Sequence, residues 1–194
     1  MNHLTYHYDF AHQFLNIASS SIDEMEKREN RIFSIIPDTG DEQQNLKIHE
    51  ERMKWSDINI SLPIIFSFYH GVELFMKALM FDLDNNYQTN HKLTSLLKDI
   101  KTLNNRNLNG IIICINDILD NSPFKSHFRE NEKTIDEFYH ILKYAEDLKG
   151  NYTSIGTLVG KEEKGLKNFL ILRKQINHLR TELKKWKMSQ INNI

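Results

Sequence analysis

Six consecutive residues near the C-terminus, Arg173-Lys-Gln-Ile-Asn-His178, hold the side chains that phosphate chemistry uses. An arginine grips a phosphate through two parallel N–H donors and keeps its charge at any working pH. A histidine titrates near neutrality, so it can take a proton and return it. Lys174 and Arg180 add cations and Asn177 adds an amide beside them. The grouping reads either as an anion-handling site or as the solvated basic face of a helix whose late cations complement its dipole.

The element that must position these residues is a helix from Gly165 to about Met188. Leu166, Phe169, Leu170, Leu172, Ile176, Leu179, Leu183 and Trp186 recur at helical spacing and define a face that has to bury against other helices. At about 100° per residue, His178 falls far from that face and shares its position with Ile171, one heptad earlier. An outward histidine beside an outward isoleucine points to a second interface. Arg173 and Arg180 flank the apolar stripe, and Asn177 lies one turn after Arg173 on the same side. The step from Arg173 to His178 separates their side chains by about 140° on a regular helix, so the two do not converge within one copy of the chain.

The basic character is local. Between Lys161 and Lys187 the chain carries nine Lys or Arg against three Glu, whereas its formal net charge is -1. A near-neutral field excludes non-specific coating of nucleic acid by the protein as a whole.

A length of 194 residues supports one domain, 1–194, with a proper core. Apolar residues make up 40% and charged residues 26%, and three Pro with seven Gly leave room for long helices, so the expected class is all-α. Cys114, the one cysteine, lies in the apolar run Ile111-Ile-Ile-Cys-Ile115 and reads as a small core residue in a reducing compartment. No unbroken apolar stretch approaches the ~18 residues of a membrane span and the N-terminus lacks an export pattern, so a cytoplasmic chain with no membrane insertion is expected.

In chain order, Tyr6 to Phe33 trace a long first helix that Pro37-Asp-Thr-Gly40 stops. Leu46 to Met53 forms a leading segment, and Ser56-Asp57 caps a second main helix running to about Phe81, which either starts near Pro63 or kinks there. From Ile64 to Met80 this helix is apolar nearly all round, the mark of a bundle's central member. Glu73 and Lys77 inside it need each other or a backbone partner. Asn90 caps a short helix to Ile100, and Ile111 to Leu119 is a buried helix or extended piece, its helical neighbours favouring helix. Thr134 or Asn131 starts a further helix through Leu148, with Gly150 past its end. Within it Glu137-Phe-Tyr-His140 has the Glu-x-x-His spacing of di-iron bundles, but no second such pair exists in the chain. Asn151 to Gly160 is a loop that matches no nucleotide-loop spacing, and no nucleophile elbow, paired Cys-x-x-Cys, Rossmann fingerprint or internal repeat is present. No metal site and no cofactor are expected.

Two stretches together resemble the HEPN superfamily of small helical bundles. One is Phe68-Tyr-His-Gly-Val-Glu-Leu-Phe-Met-Lys-Ala-Leu79 followed by His91-Lys-Leu-Thr-Ser-Leu, and the other is Arg173-x4-His178, which looks like that family's Arg-x(4 to 6)-His motif. The resemblance implies an up-and-down bundle of four or five helices, here with a long N-terminal helix, that forms a homodimer with the last-helix motifs meeting at the interface. It further implies a metal-independent endoribonuclease of a toxin–antitoxin, phage-defence or RNA-processing type. In that reading His178 is the general acid/base, Arg173 the phosphate ligand, and Lys174, Asn177 and Arg180 further RNA contacts. The motif departs from the family's usual form at Lys174, where Asn, Asp or His ordinarily follows the arginine, and at Arg180, where some toxins carry Tyr. The competing expectations are a non-catalytic module of the same type that binds a nucleotide, RNA or a protein partner, and a helical adaptor with a merely solvated basic face. The surface from Asp38 to Trp55 leaves room for a regulatory protein partner.

Overall fold

The structure, a computed structural model, describes residues 3–30, 39–84, 89–145, 150 and 164–191. It is all-α, and no strand occurs among the described residues. In order come α1 (His3–Lys27), α2 (Glu42–Met53), α3 (Asp57–Asp84), α4 (Leu93–Thr102), a 3-10 turn (Arg106–Leu108), α5 (Asn109–Asp120), α6 (Lys125–Glu130), α7 (Ile135–Tyr144) and α8 (Lys164–Ile191). The predicted last turns of the first helix beyond Asn30 and the Asn151–Gly160 loop lie outside the described residues.

α3 is the centre, with α1, α4, α7 and α8 packed on it. Its stretch within 42–84 is long and apolar enough to cross a membrane by composition, but 78% of that window is buried inside the fold, which makes it a core helix. Contacts from one end to the other fix the directions of its neighbours. Tyr8 meets Phe75, Phe14 meets Phe66, and the Asn30 side-chain Oδ1 accepts the Asp57 backbone N–H at 2.7 Å, so α1 and α3 run antiparallel. Trp186 lies against Tyr8, their rings tilted, while Arg173 reaches Asp23, so α8 is antiparallel to α1 as well. Gln175 donates to the Asp117 carboxylate at 3.3 Å, and Glu182 lies against Gly110, which sets α5 antiparallel to α8 on its other flank.

Several boundaries differ from the sequence expectation for identifiable reasons. α2 begins at Glu42 rather than Leu46 because the Asp41 carboxylate accepts the amides of Gln43 at 2.9 Å and Gln44 at 3.3 Å. Pro63 neither starts nor ends α3, since the helix is already under way from Asp57 and Pro63 sits on its exposed side. The 111–119 run is helical. α7 stops at Tyr144 rather than Leu148, where Ala145 turns left-handed (φ 62°) and its N–H closes on the Ile141 carbonyl at 2.8 Å. Thr134 starts α7 through a reciprocal capping box with Glu137. The short α6, with only His127 and Phe128 buried, is too brief to leave a periodic signature.

One continuous hydrophobic core joins every helix except α2, which buries no side chain. Cys114 belongs to it, and burial pushes its thiol up to about 12. α1 approaches α3 closely at Gly71, where an added Cβ would stand 2.9 Å from Leu15 Cγ and 3.2 Å from the Ala11 carbonyl oxygen. Gly71→Val should therefore destabilise the protein by about 1–3 kcal/mol, the cost of overpacking exceeding the few tenths that valine regains in helix propensity. Urea unfolding at 25 °C checks this.

Candidate functional site

α8 divides its surface as the apolar spacing requires. Phe169, Leu172, Ile176, Leu179, Leu183 and Trp186 are buried, with Leu166 and Leu170 partly so. His178, Asn177 and Lys174 are exposed. Among the described residues no side chain pairs with the His178 ring, which stands open to solvent on the face opposite the core. Ile171, expected to share that face, is half-buried.

The two arginines are turned away from His178 toward α1. Arg173 Nη1 donates to Asp23 Oδ1 at 2.6 Å and to Glu26 Oε2 at 2.5 Å. These bonds, from Glu26 foremost and then Asp23, hold the guanidinium pKa above its usual value. Arg180 Nη2 donates to Asn16 Oδ1, and burial lowers its pKa against the opposing pull of Asp23. Half-buried His12 on α1 faces the same seam, and burial followed by the charges of Lys187 and Arg180 lowers its pKa, favouring the neutral ring. The structure thus places Lys174, Asn177 and His178 together on the open face of α8. Arg173 and Arg180 lie along its α1 edge.

A second grouping escaped the sequence reading except for its first pair. Glu73 in α3 is only 1% exposed, and its two oxygens are fully occupied. Oε1 receives Lys77 Nζ at 2.8 Å and His91 Nδ1 at 2.7 Å. Oε2 receives Tyr139 OH at 2.5 Å and Lys143 Nζ at 2.9 Å. Burial alone would raise this carboxyl's pKa, but the donors around it, His70, Lys77, Tyr139 and Lys143, together hold it well below the usual carboxylate range. The Tyr139 hydroxyl goes the other way, raised by burial and by its bond to Glu73, and it also accepts from His70 Nδ1 at 2.8 Å. Because a carboxylate only accepts, the His91 proton sits on Nδ1 and its Nε2 is left free on an imidazole whose side chain is 67% exposed.

This hub forms the floor of an open cleft of about 920 Å³ between the start of α4 and α7. His91, Tyr139 and Lys143 line its inner wall, and His140 with Tyr144 its outer one, the last two rings 4.6 Å apart. Asp136 and Glu137 also line it, but Asp136 accepts from Thr94 and Glu137 from the Thr134 amide at 2.7 Å, so Glu137 of the Glu-x-x-His pair is a helix cap. Tyr139 and Lys143 stand one turn apart on α7, a spacing visible in the sequence, but nothing there said which helix they would face.

A family model, the HEPN domain, matches residues 59–155, half of the chain. That stretch contains the Glu73 hub and the cleft and ends before α8. No curated protein and no solved structure matches the chain.

Glu73→Gln removes the charge that balances Lys77 and Lys143 and should cost on the order of 3 kcal/mol at neutral pH. Since the folded-state pKa of Glu73 lies below its unfolded value, this contribution is complete above the ordinary carboxylate range and is lost as pH falls through the folded value. The stability gap between wild type and variant should stay level from pH 7 to about 5 and narrow below about 4. Denaturant titrations of both proteins across that range measure it.

Proposed function

Because the chain belongs to the HEPN family, we propose that it is a metal-independent endoribonuclease whose chemistry is carried by α8, with a second copy of the chain completing the site. The observation that carries this reading is His178, fully presented on the outer face of α8 with Asn177 and Lys174 beside it, at the end of Arg173-x4-His178. Such an imidazole contributes nothing to the core and is open to contact with a ligand. A homodimer that apposes the outer faces of two α8 helices brings two such histidines to one RNA strand and offers each the other copy's cations, which answers the 140° divergence within one helix.

The reaction follows from the substrate's own nucleophile. His178 takes the proton of a ribose 2′-OH, and the oxygen attacks the adjacent phosphorus. The bond from phosphorus to the 5′-oxygen breaks, and the leaving oxygen receives a proton. Arg173, aided by Lys174 and Arg180, balances charge on the pentacoordinate phosphate, and Asn177 orients the strand. The products are a 2′,3′-cyclic phosphate and a 5′-OH, with no metal or cofactor needed. α2, which buries none of its own side chains, offers a surface for a regulatory protein partner, and the expected setting is a cytoplasmic toxin, defence or RNA-processing nuclease.

A second reading, binding of a nucleotide or RNA without cleavage, is favoured by the cleft over Glu73. Its volume falls within the range of small-ligand sites, and it combines cations, hydrogen-bond acceptors and an aromatic pair.

His178→Ala should lower RNA cleavage in EDTA by about 10²- to 10⁴-fold while leaving RNA affinity nearly unchanged. Cleavage assays with end-group analysis, run beside a binding titration, separate the two readings. Products ending in 2′,3′-cyclic phosphate that vanish in the variant support the nuclease, and RNA binding without any cleavage by wild type supports the binding module.

A further inference from the structure

Arg173 does not present a vacant guanidinium. Its Nη1 is shared between Asp23 and Glu26, which stand about one turn apart on α1 and project from the same edge toward α8. One cation therefore faces two carboxylates. The trio carries a formal charge of −1 where the RNA reading requires an attraction for phosphate. It is also open to water, the side chains of Asp23, Glu26 and Arg173 being 57%, 45% and 27% exposed. Both contacts leave from one nitrogen, and among the described residues Nη2 and Nε have no partner. A phosphate oxygen can approach that free edge of the fork before the carboxylates let go.

The surroundings do not neutralise the trio. Of the nearby cations, Lys27 at the end of α1 and Arg28 just past it are engaged by Glu24 at 3.5 Å and 3.4 Å. Arg180 on α8 feels the field of Asp23 but is bonded to Asn16. Lys174, exposed and adjacent to Arg173 in the chain, stands on the open face of α8, and Lys187 lies over the Tyr8 ring near the other end of the seam.

We propose that Asp23 and Glu26 belong to the RNA site as positioning residues. They hold Arg173 at the α1 seam in the free protein and compete with the substrate phosphate for it, so that RNA engages this arginine by exchanging phosphate for carboxylate. The proposal rests on the RNA-directed reading of α8. The exchange replaces one set of charge-assisted hydrogen bonds by another, and exposed ion pairs of this kind are weak enough to be given up. It filters substrates as well: a ligand with a single weak anion does not displace two carboxylates, whereas a polyanionic strand held elsewhere on α8 does.

The test is the RNA affinity and KM of the full chain for a single-stranded RNA oligomer at several salt concentrations, for wild type, Asp23→Asn/Glu26→Gln, Arg173→Ala and the triple variant. Neutralising the pair should lower Kd and KM by about threefold to tenfold at low salt, an advantage that shrinks as salt rises. Both gains should disappear when Arg173 is also replaced. A gain that persists without Arg173 is a general field effect and overturns the proposal, as does no gain at all. If the double variant folds poorly, Glu26→Gln alone keeps the Asp23 tie and should show a smaller gain of the same kind. Cleavage by wild type with affinity indifferent to Asp23 and Glu26 sinks the exchange and leaves the nuclease standing. Binding without cleavage that still responds through Arg173 sinks the nuclease and leaves the exchange. No RNA binding by any of the four proteins overturns both.

Discussion

A carboxylate withdrawn from water must have its charge met where it stands, and Glu73 is that carboxylate here. At 1% exposure it would be costly alone, and it is met by four donors drawn from three parts of the chain. Lys77 comes from its own helix, His91 from the approach to α4, and Tyr139 and Lys143 from α7. α7 is only ten residues long and could not hold its place through helix propensity. Bonding to Glu73, together with packing of Phe138 and Tyr139, fixes it on α3. The cleft then inherits its shape from the same carboxylate, because three of the hub's members form its inner wall.

The pairing of acid and base recurs between α1 and α8, with the opposite consequence. Asp23, Glu26 and Arg173 use the same groups as the hub at similar distances, but they lie in water. Solvent screens their attraction and offers every member an alternative partner, so the trio contributes little to stability and can be opened. What joins α1 to the rest is instead apolar packing and the close approach permitted at Gly71, with Asn30 tying the far end to the first amide of α3. Buried charge builds the bundle and exposed charge remains available for exchange.

The fold was legible in the chain wherever a face repeated. Apolar periodicity located the long helices, and Thr134 was one of the two residues the chain offered for the start of α7, the one that the structure's capping box with Glu137 selects. Where no face repeats, a boundary or a whole element escaped: the polar α2 starts before Leu46 at an aspartate cap, α7 ends before Leu148 because Ala145 turns left-handed, and α6, a bare six residues, was missed. The same division holds for the site. The outward direction of His178 follows from angle alone, and the need of Glu73 for Lys77 follows from burial and a one-turn spacing. The partners of Arg173 depend on the antiparallel register of α1 and α8, and Tyr139 and Lys143 reach Glu73 across 66 and 70 residues of chain. Contacts of that range belong to tertiary packing, which no local pattern encodes.

The stretch that matches the HEPN domain ends before α8, and this agrees with where the two sets of charges act. Within 59–155 lie the hub, α4, α7 and the cleft, whose charged groups hold one another. α8 meets the bundle through α1, α5 and a limited part of α3, and its polar residues take no part in the hub. The helix can therefore carry Lys174 in place of a small polar residue, or Arg180 in place of a tyrosine, without disturbing the buried carboxylate on which the bundle depends. The HEPN stretch and the polar face of α8 are, in this chain, physically separable: the first is secured by charge kept from water, and the second presents charge that water can reach.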